Sequence, residues 1–184
     1  MSITPKSVPQ ITRDQLALRL GASSIAINPH DTLCLVGIRG YYRDTMGKKG
    51  ANDRGIYDDA IILVGPNHFS TYNANTDPSA SFKKHLATLR PGLWSYKLGT
   101  HGLNRPASQR YQALVQAAVV TVDRDGEKSE TGFFGINIHR GSINSTSSAG
   151  CQTIVPSQWP SFIAAVKDQL TRAGQKTIPY ALIV

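Results

Sequence analysis

Residues 157–174 read SQWPSFIAAVKDQLTRAG, and the apolar stretch IPYALIV follows at 178–184. Apolar side chains recur in the first stretch at the spacing of one helix face: Trp159, Phe162, Ile163, Val166 and Leu170. Ser157 is suited to cap the start of this helix, and Gly174 is suited to end it. The C-terminal part of the chain therefore predicts an amphipathic helix followed by a closing strand.

Upstream of this helix, most of the chain predicts β-structure. Strands are expected where apolar or alternating runs occur, at 32–38, 60–64, 68–72, 93–98, 132–138 and 153–155. Residues 111–118 fit either a helix or one strand joined to 119–122, and Asp123–Gly126 has the composition of a hairpin turn. Cys34 lies inside the first apolar run and is expected to be a buried small hydrophobe.

The remaining segments predict a short helix, a long loop and a turn. Residues 11–20 fit a helix closed by Gly21, 39–56 contain four glycines without periodicity, and 73–78 carry turn chemistry. Asp58 and Asp59 precede a strand and point to opposite faces, which argues against paired glycosidase carboxylates. We predict one α+β, β-dominated domain over residues 1–184, with 1–30 as an N-terminal extension.

The composition indicates a basic, globular protein. The 184 residues carry 20 Lys and Arg against 12 Asp and Glu, a net charge of +8. Such a surface favours an anionic partner, but aromatic interleaving, zinc-finger spacing and a basic helix are missing, so no nucleic acid is expected. The N-terminus does not resemble a signal peptide, and no stretch suits a membrane span. We expect synthesis in the cytoplasm; the oligomeric state stays open.

The chemistry is expected between residues 137 and 153, which read NIHRGSINSTSSAGCQT. His139 ends an apolar strand, and Cys151 follows Gly150 in a polar turn. An imidazole can take the proton of a thiol and make it a nucleophile. Gly150 leaves room for a substrate carbonyl, and amides of the turn can face a developing oxyanion. Ser147 and Ser148 can orient the histidine or bind substrate, and the Arg140 guanidinium suits a carboxylate.

The run Ser148-Ala-Gly-Cys151, preceded by His139 and Gly141, resembles the signature of the L,D-transpeptidase catalytic domain. Residues 90–96, RPGLWSY, resemble the Thr-Pro-x-Gly-aromatic strand of that family. The resemblance covers roughly residues 60–155 and implies a β-sandwich or barrel with a C-terminal helix and a closing strand. It also implies that Cys151 forms an acyl-enzyme with a peptidoglycan stem peptide while His139 acts as base, without a cofactor.

The sequence departs from that family at several positions. Arg140 stands where glycine usually follows the histidine, Ala149 replaces a frequent histidine, and Gln152-Thr153 replaces an aliphatic-arginine pair. Gly141, Ser147, Gly150 and Gln152 are expected to shape the substrate pocket together with Arg140. With no export signal recognised, these departures suggest a divergent, phage-encoded branch. Such an enzyme would reach the bacterial cell wall by export or phage delivery and act there as a lytic hydrolase or a transpeptidase.

Two alternatives remain open from the sequence. One is a non-catalytic protein of the cell wall or virion that keeps the fold as a binding module. The other is a zinc-dependent wall hydrolase, in which His68, His101, Asp77 and His139 would supply the ligands, although no typical metal-ligand spacing is present. Tyr41, Tyr42 and Arg43 are assigned to a surface loop rather than to a glycan-binding edge.

Overall fold

A computed structural model describes residues 2–184. Its two α-helices are α1 (Arg13–Ala22) and α2 (Trp159–Ala173), and a short 3-10 helix spans Ala107–Gln109. The strands in chain order are β1 (Cys34–Ile38), β2 (Asp59–Gly65), β3 (His68–Asn75), β4 (Ala87–Leu89), β5 (Gly92–His101), β6 (Tyr111–Gln116), β7 (Val120–Arg124), β8 (Glu130–Gly132), β9 (Ile138–Arg140), β10 (Gln152–Ile154) and β11 (Ile178–Ile183). The predicted α+β, β-dominated class, with its C-terminal helix and closing strand, is confirmed.

Eight strands form a closed barrel in the order β1-β11-β5-β6-β9-β10-β3-β2, and β4, β7 and β8 form a separate small sheet. Two neighbouring pairs in the barrel are parallel, β1 with β11 and β9 with β10. In the parallel pair of β9 and β10, β9 contains His139, and Cys151 directly precedes β10. The barrel therefore sets the distance between the two halves of the predicted site.

The apolar runs of β1 and β2 are continuous because both faces of these strands are covered. Leu35 and Leu63 pack in a core cluster that includes α2, whereas Val36 and Val64 pack with α1 in a second cluster. A strand buried on both faces has no polar side, which explains why alternation is absent there. Cys34 belongs to the second cluster and is fully buried, as predicted.

Each helix is fixed by local signals and by one apolar face. Thr12 caps α1 through a reciprocal capping box with Gln15. Helix α2 buries Trp159, Phe162, Val166 and Leu170. It ends at Gly174, whose φ of 64° places it in the left-handed region that favours glycine. Neither helix in residues 2–184 combines the length and hydropathy of a membrane span.

Several local predictions were wrong. Strand β3 continues through Asn73 and Asn75, which we had placed in a turn, because β2 and β10 pair with its two edges and override the local preference. Gln158, not Ser157, occupies the N-cap of α2, and it makes no side-chain capping bond. The predicted strand 132–138 is irregular over residues 133–137, between β8 and β9, and β4 was missed. Residues 111–116 form a strand that is separate from β7.

Candidate active site

His139 and Cys151 are placed by the parallel pair of β9 and β10. Thr153 pairs with His139, and the N–H of Gln152 donates to the carbonyl of Asn137 at 2.8 Å. Cys151 directly precedes β10, and His139 is the middle residue of β9. The fold thus brings the predicted nucleophile and base to neighbouring strands of the barrel.

The imidazole of His139 has one assigned tautomer. Its Nδ1 lies 2.7 Å from the carbonyl oxygen of Arg140, and a carbonyl can only accept, so Nδ1 carries the hydrogen. The pKa of His139 is lowered to about 4, mainly by burial and then by the neighbouring His101, with a smaller contribution from Arg105; the hydrogen bond to the Arg140 carbonyl opposes the shift. At neutral pH the ring is therefore uncharged, and Nε2 has a free lone pair to accept a proton.

The ring of His139 is held by aromatic neighbours. It stacks on His101 with ring centroids 4.1 Å apart and an interplanar angle of 22°. The hydroxyl of Tyr111 lies 3.4 Å from Nδ1 and donates to the Arg140 carbonyl at 3.3 Å. Only 4% of His139 is exposed. These contacts leave the ring little freedom to rotate.

The Cys151 side chain is partly buried and contacts two backbone groups. Its Sγ accepts from the N–H of Asn137 at 3.4 Å and donates to the carbonyl of Gly135 at 3.4 Å. Burial raises the pKa of this thiol, and the N–H of Asn137 opposes that shift because it favours the thiolate. The resting group is a thiol, so attack on a substrate requires a base. Cys34, the other cysteine, is fully buried, and burial raises its pKa to about 12.

The turn before Cys151 is built by Ser148 and Gly150. The Ser148 hydroxyl donates to the carbonyl of Cys151 at 2.6 Å and accepts from the N–H of Gly150 at 3.0 Å. Gly150 has a φ of 145°, and a Cβ there would lie 2.5 Å from the carbonyl oxygen of Ala87. Within residues 2–184 the N–H of Cys151 makes no hydrogen bond, which leaves it as the amide best suited to an oxyanion.

A groove of about 620 Å³ lies next to residues that contact the thiol, although neither Cys151 nor His139 is among its lining residues. Gly135 and Asn137, which contact Sγ, line it together with His101. Phe133 and Leu103, both exposed, also line the groove, and Arg105 adds a positive charge. A larger cavity, about 1030 Å³, lies elsewhere, between the N-terminal segment and Tyr41 and Tyr42.

The other predicted pocket residues occupy different environments. Arg140 is exposed, and its guanidinium lies 5.1 Å from the ring centroid of Tyr111. Ser147 is exposed, with a positive φ of 55°. Gln152 is fully buried and accepts from the Tyr180 hydroxyl at 3.1 Å, so it faces the core and not the groove. Gly141 is required by packing because a Cβ there would collide with the Tyr57 hydroxyl.

The four residues of the zinc alternative are not arranged as one metal site. His68 contacts Ser70 at 2.8 Å, Asp77 pairs with Arg39 at 3.3 Å, and His101 stacks on His139. In the part of the chain that the structure describes, no group of three or more His, Cys, Asp or Glu residues is placed to hold a metal ion. The structure instead assigns His101 to the surroundings of the His139 ring.

Sequence reasoning missed the backbone groups that contact the thiol. Gly135 and Asn137 act through their main chain, so their side-chain types give no signal in the sequence. Tyr111 was seen only as part of an ambiguous segment. Its position against His139 depends on the pairing of β6 with β9, which joins distant parts of the chain.

Comparison of the chain with protein-family models, with curated proteins and with solved structures finds no significant match in any of the three. The function of the protein is therefore inferred from the geometry of the site and from the sequence resemblance to the L,D-transpeptidases.

Proposed function

We propose that the protein is a cysteine-dependent acyltransferase that acts on stem peptides of bacterial peptidoglycan, in the manner of the L,D-transpeptidases. The observation that carries the proposal is the 2.7 Å contact between Nδ1 of His139 and the Arg140 carbonyl. It leaves Nε2 free to act as a base, and β9, which carries His139, pairs with β10, which Cys151 precedes. The groove lined by Gly135 and Asn137, whose backbone groups contact Sγ, offers a place for the peptide.

The proposed reaction starts with the neutral thiol and the neutral imidazole. Nε2 of His139 takes the thiol proton as Sγ attacks the carbonyl carbon of a peptide bond, and the N–H of Cys151 donates to the oxyanion that forms. When the C–N bond breaks, the leaving amine receives the proton from Nε2. The product is a thioester on Cys151 and a free amine.

The second half of the reaction restores the enzyme. Water or an amine loses a proton to Nε2 and attacks the thioester carbon, and the thiolate leaves and takes that proton back. Attack by water makes the protein a peptidase or carboxypeptidase, and attack by an amine makes it a transpeptidase. A lytic role in a phage setting favours water.

Charge supports a cell-wall substrate. The net charge of +8 attracts the protein to an anionic polymer, and this attraction weakens as salt is added. The exposed Arg140 guanidinium offers a fork of donors to a stem-peptide carboxylate. The net charge and Arg140 contribute to substrate binding, whereas Cys151 and His139 carry out the reaction.

The proposal is tested by incubating purified protein with muropeptides and identifying the products by mass spectrometry. Product should form with the wild type and should disappear after iodoacetamide treatment or in Cys151→Ser and His139→Gln. Cys34→Ala is the matched control, because it removes the other thiol and should stay both active and sensitive to iodoacetamide. Turnover that survives in folded Cys151→Ser would refute the proposal.

One observation favours a second candidate, a non-catalytic wall-binding module. Burial shifts the pKa of His139 down and that of Cys151 up, which disfavours a preformed thiolate–imidazolium pair. A binding module would sediment with purified sacculi equally well as wild type and as Cys151→Ser, and it would release no product from muropeptides.

A further inference from the structure

A line of buried polar groups without partners leads to His139. Within residues 2–184, five buried side-chain atoms make no hydrogen bond. Four of the five are Oδ1 of Asp58, both amide atoms of Asn75 and Oγ1 of Thr153; the fifth is the hydroxyl of Tyr96. Buried polar groups in folded proteins almost always have hydrogen-bond partners. The unpartnered atoms of three neighbouring residues, Asp58, Asn75 and Thr153, therefore need an explanation.

The strand register places these side chains side by side. Thr153 of β10 pairs with Asn75 of β3 on one side and with His139 of β9 on the other. Asp58 precedes β2 by one residue, and continuing the pairing of Asp59 with Ala74 places it opposite Asn75. Paired residues on neighbouring strands point to the same face. Asp58, Asn75, Thr153 and His139 therefore form one polar row across four strands.

Every member of the polar row is shielded from solvent. Asp58, Asn75 and Thr153 are fully buried, and His139 is nearly so. The face opposite to the row carries Ala74, Ile138 and Ile154 of the apolar core. The polar groups thus cannot exchange their unmet hydrogen bonds for bulk water, and only each other, an ordered water molecule or His139 can satisfy them.

We infer that Asp58, Asn75 and Thr153 are positioning residues: hydrogen bonds bridged by water link the buried Asp58 carboxylate to the Thr153 hydroxyl, which lies beside His139. This inference rests on the proposed function of His139 as the base for Cys151. The donors and acceptors fit one direction through the bridging water: the Asn75 amide N–H donates on the side of Asp58, and the Asn75 oxygen accepts on the side of the Thr153 hydroxyl. Because Nδ1–H of His139 is bonded to the Arg140 carbonyl and Nε2 serves Cys151, the Thr153 hydroxyl makes no hydrogen bond to the ring. Its lone pairs face the imidazole and stabilise, through their dipole, the charge that the ring gains on taking a proton.

The surroundings of the two ends are consistent with this direction. Asp58 Oδ2 accepts from the N–H of Asp53 at 2.9 Å, which leaves Oδ1 for the row. Burial raises the pKa of Asp58 to about 6, and the nearby Asp77 and Asp53 add to the rise, so the group is ionised above that pH. At the other end, His101 and Arg105 disfavour a charged His139. The polar row supplies the opposing, stabilising influence.

Thr153→Val is the decisive variant, because it keeps the shape of the side chain and removes only the hydroxyl. Two quantities are measured in a Cys34→Ala background: the rate of Cys151 alkylation by iodoacetamide and the ¹⁵N resonance of His139 Nε2. Thr153→Val should slow alkylation about threefold or more, the equivalent of about half a pKa unit, and should shift the Nε2 resonance. Thr153→Ser should restore both.

Tyr96→Phe is the matched control. It removes the one unpartnered buried hydroxyl that lies outside the polar row. If the Thr153 hydroxyl were merely unpaired, both variants would melt at a higher temperature than their parent and leave alkylation and the His139 resonance unchanged. That result would overturn the inference.

A double substitution adds an independent check. Asn75→Leu removes both unpartnered amide atoms, and together with Thr153→Val it should slow alkylation no more than Thr153→Val alone, because both act through one chain. Additive losses would argue against a chain. Failure of the proposed function is distinguishable: His139→Gln would then be alkylated at the wild-type rate, while the ring resonance would still report on the polar row.

Discussion

The rings of His101 and His139 stack 4.1 Å apart at their centroids, although they come from β5 and β9, which are not neighbours in the barrel. Two imidazoles at this distance cannot both be charged without strong repulsion. Burial lowers the pKa of His101 as well, and Arg105 adds to that effect. The pair therefore rests uncharged, and the state of one ring controls the proton affinity of the other.

His101→Phe should raise the pKa of His139 from about 4 towards its usual value, because the substitution keeps a stacked ring and removes a competing charge. An NMR titration of the His139 ring measures the change. His85→Gln serves as a control, because His85 is exposed and pairs with Glu127 at 2.8 Å. An unchanged or lower pKa for His139 in His101→Phe would show that the stacking does not set its proton affinity.

The buried His139 should make the folded state sensitive to acid. Because its folded pKa of about 4 lies below the unfolded value of about 6.5, its contribution to stability is present above pH 6.5 and is lost as the pH falls towards 4. The full loss amounts to about 3 kcal/mol at most. Urea unfolding between pH 4 and 7.5 should therefore show a steeper acid loss for wild type than for His139→Gln.

Asp58 and Asp59 have the opposite effect on the pH dependence of the folded state's stability. Burial raises the pKa of both, so the stability that they contribute at low pH is lost as the pH rises through their folded pKa. Because both carboxyls are present in wild type and in His139→Gln, the difference between the two curves isolates the histidine. Parallel curves over this range would contradict a buried, neutral His139.

The sequence was a good guide to elements that are determined locally. The continuous apolar runs identified β1 and β2, the spacing of Trp159, Phe162 and Val166 identified α2, and Gly174 marked its end. It failed at Asn73 and Asn75, where turn-forming side chains lie in a strand because pairing with β2 and β10 outweighs local preference. A polar side chain in a barrel wall can be recognised only when the register is known.

In the candidate site, too, the sequence indicated features that are close together in the chain and missed those that depend on strand pairing. His139 and Cys151 were found because their spacing in the chain is short and their chemistry is distinctive. Gln152 was expected to bind substrate, but strand alternation turns it inward to Tyr180. His101 reaches His139 only through a strand that is distant in sequence, so no local pattern could have indicated its contact with the ring. The place of Thr153 beside His139 depends on the parallel register of β9 and β10, which the sequence does not reveal.

The two cysteines should differ sharply in reactivity. Cys151 is partly exposed, whereas Cys34 is fully buried and has a pKa of about 12. A native thiol assay should therefore detect one reactive group per chain, and unfolding in urea should expose the second. Peptide mapping of the alkylated native protein identifies the residue. Equal labelling of both cysteines before unfolding would mean that the thiol of Cys151 is no more accessible than a core side chain.

Gly141→Ala should destabilise the segment that connects His139 to Cys151. A Cβ at this position collides with the Tyr57 hydroxyl, which donates to the Ser142 carbonyl at 2.8 Å. We expect a loss of about 1–3 kcal/mol in the free energy of unfolding, with partial recovery when Tyr57→Phe is added. Gly21→Ala is the matched control, because no atom lies within 4 Å of the added Cβ there and α1 should gain up to about 1 kcal/mol. Equal effects at both glycines would contradict the packing argument.

Arg140→Ala should separate substrate recognition from thiol chemistry. The guanidinium is exposed above Tyr111, and it is the backbone carbonyl of Arg140 that holds Nδ1 of His139. Removal of the side chain should therefore raise KM for a stem peptide about ten- to a hundredfold, consistent with loss of a charge-assisted hydrogen bond, and leave the rate of iodoacetamide alkylation unchanged. Amidation of the substrate carboxylate should make wild type and variant alike. Arg172→Ala is the control, since Arg172 is exposed and pairs with Asp168 at 2.7 Å on α2. If Arg140→Ala slows alkylation as much as it weakens peptide binding, the side chain supports the Cys151–His139 pair itself and does not recognise a carboxylate.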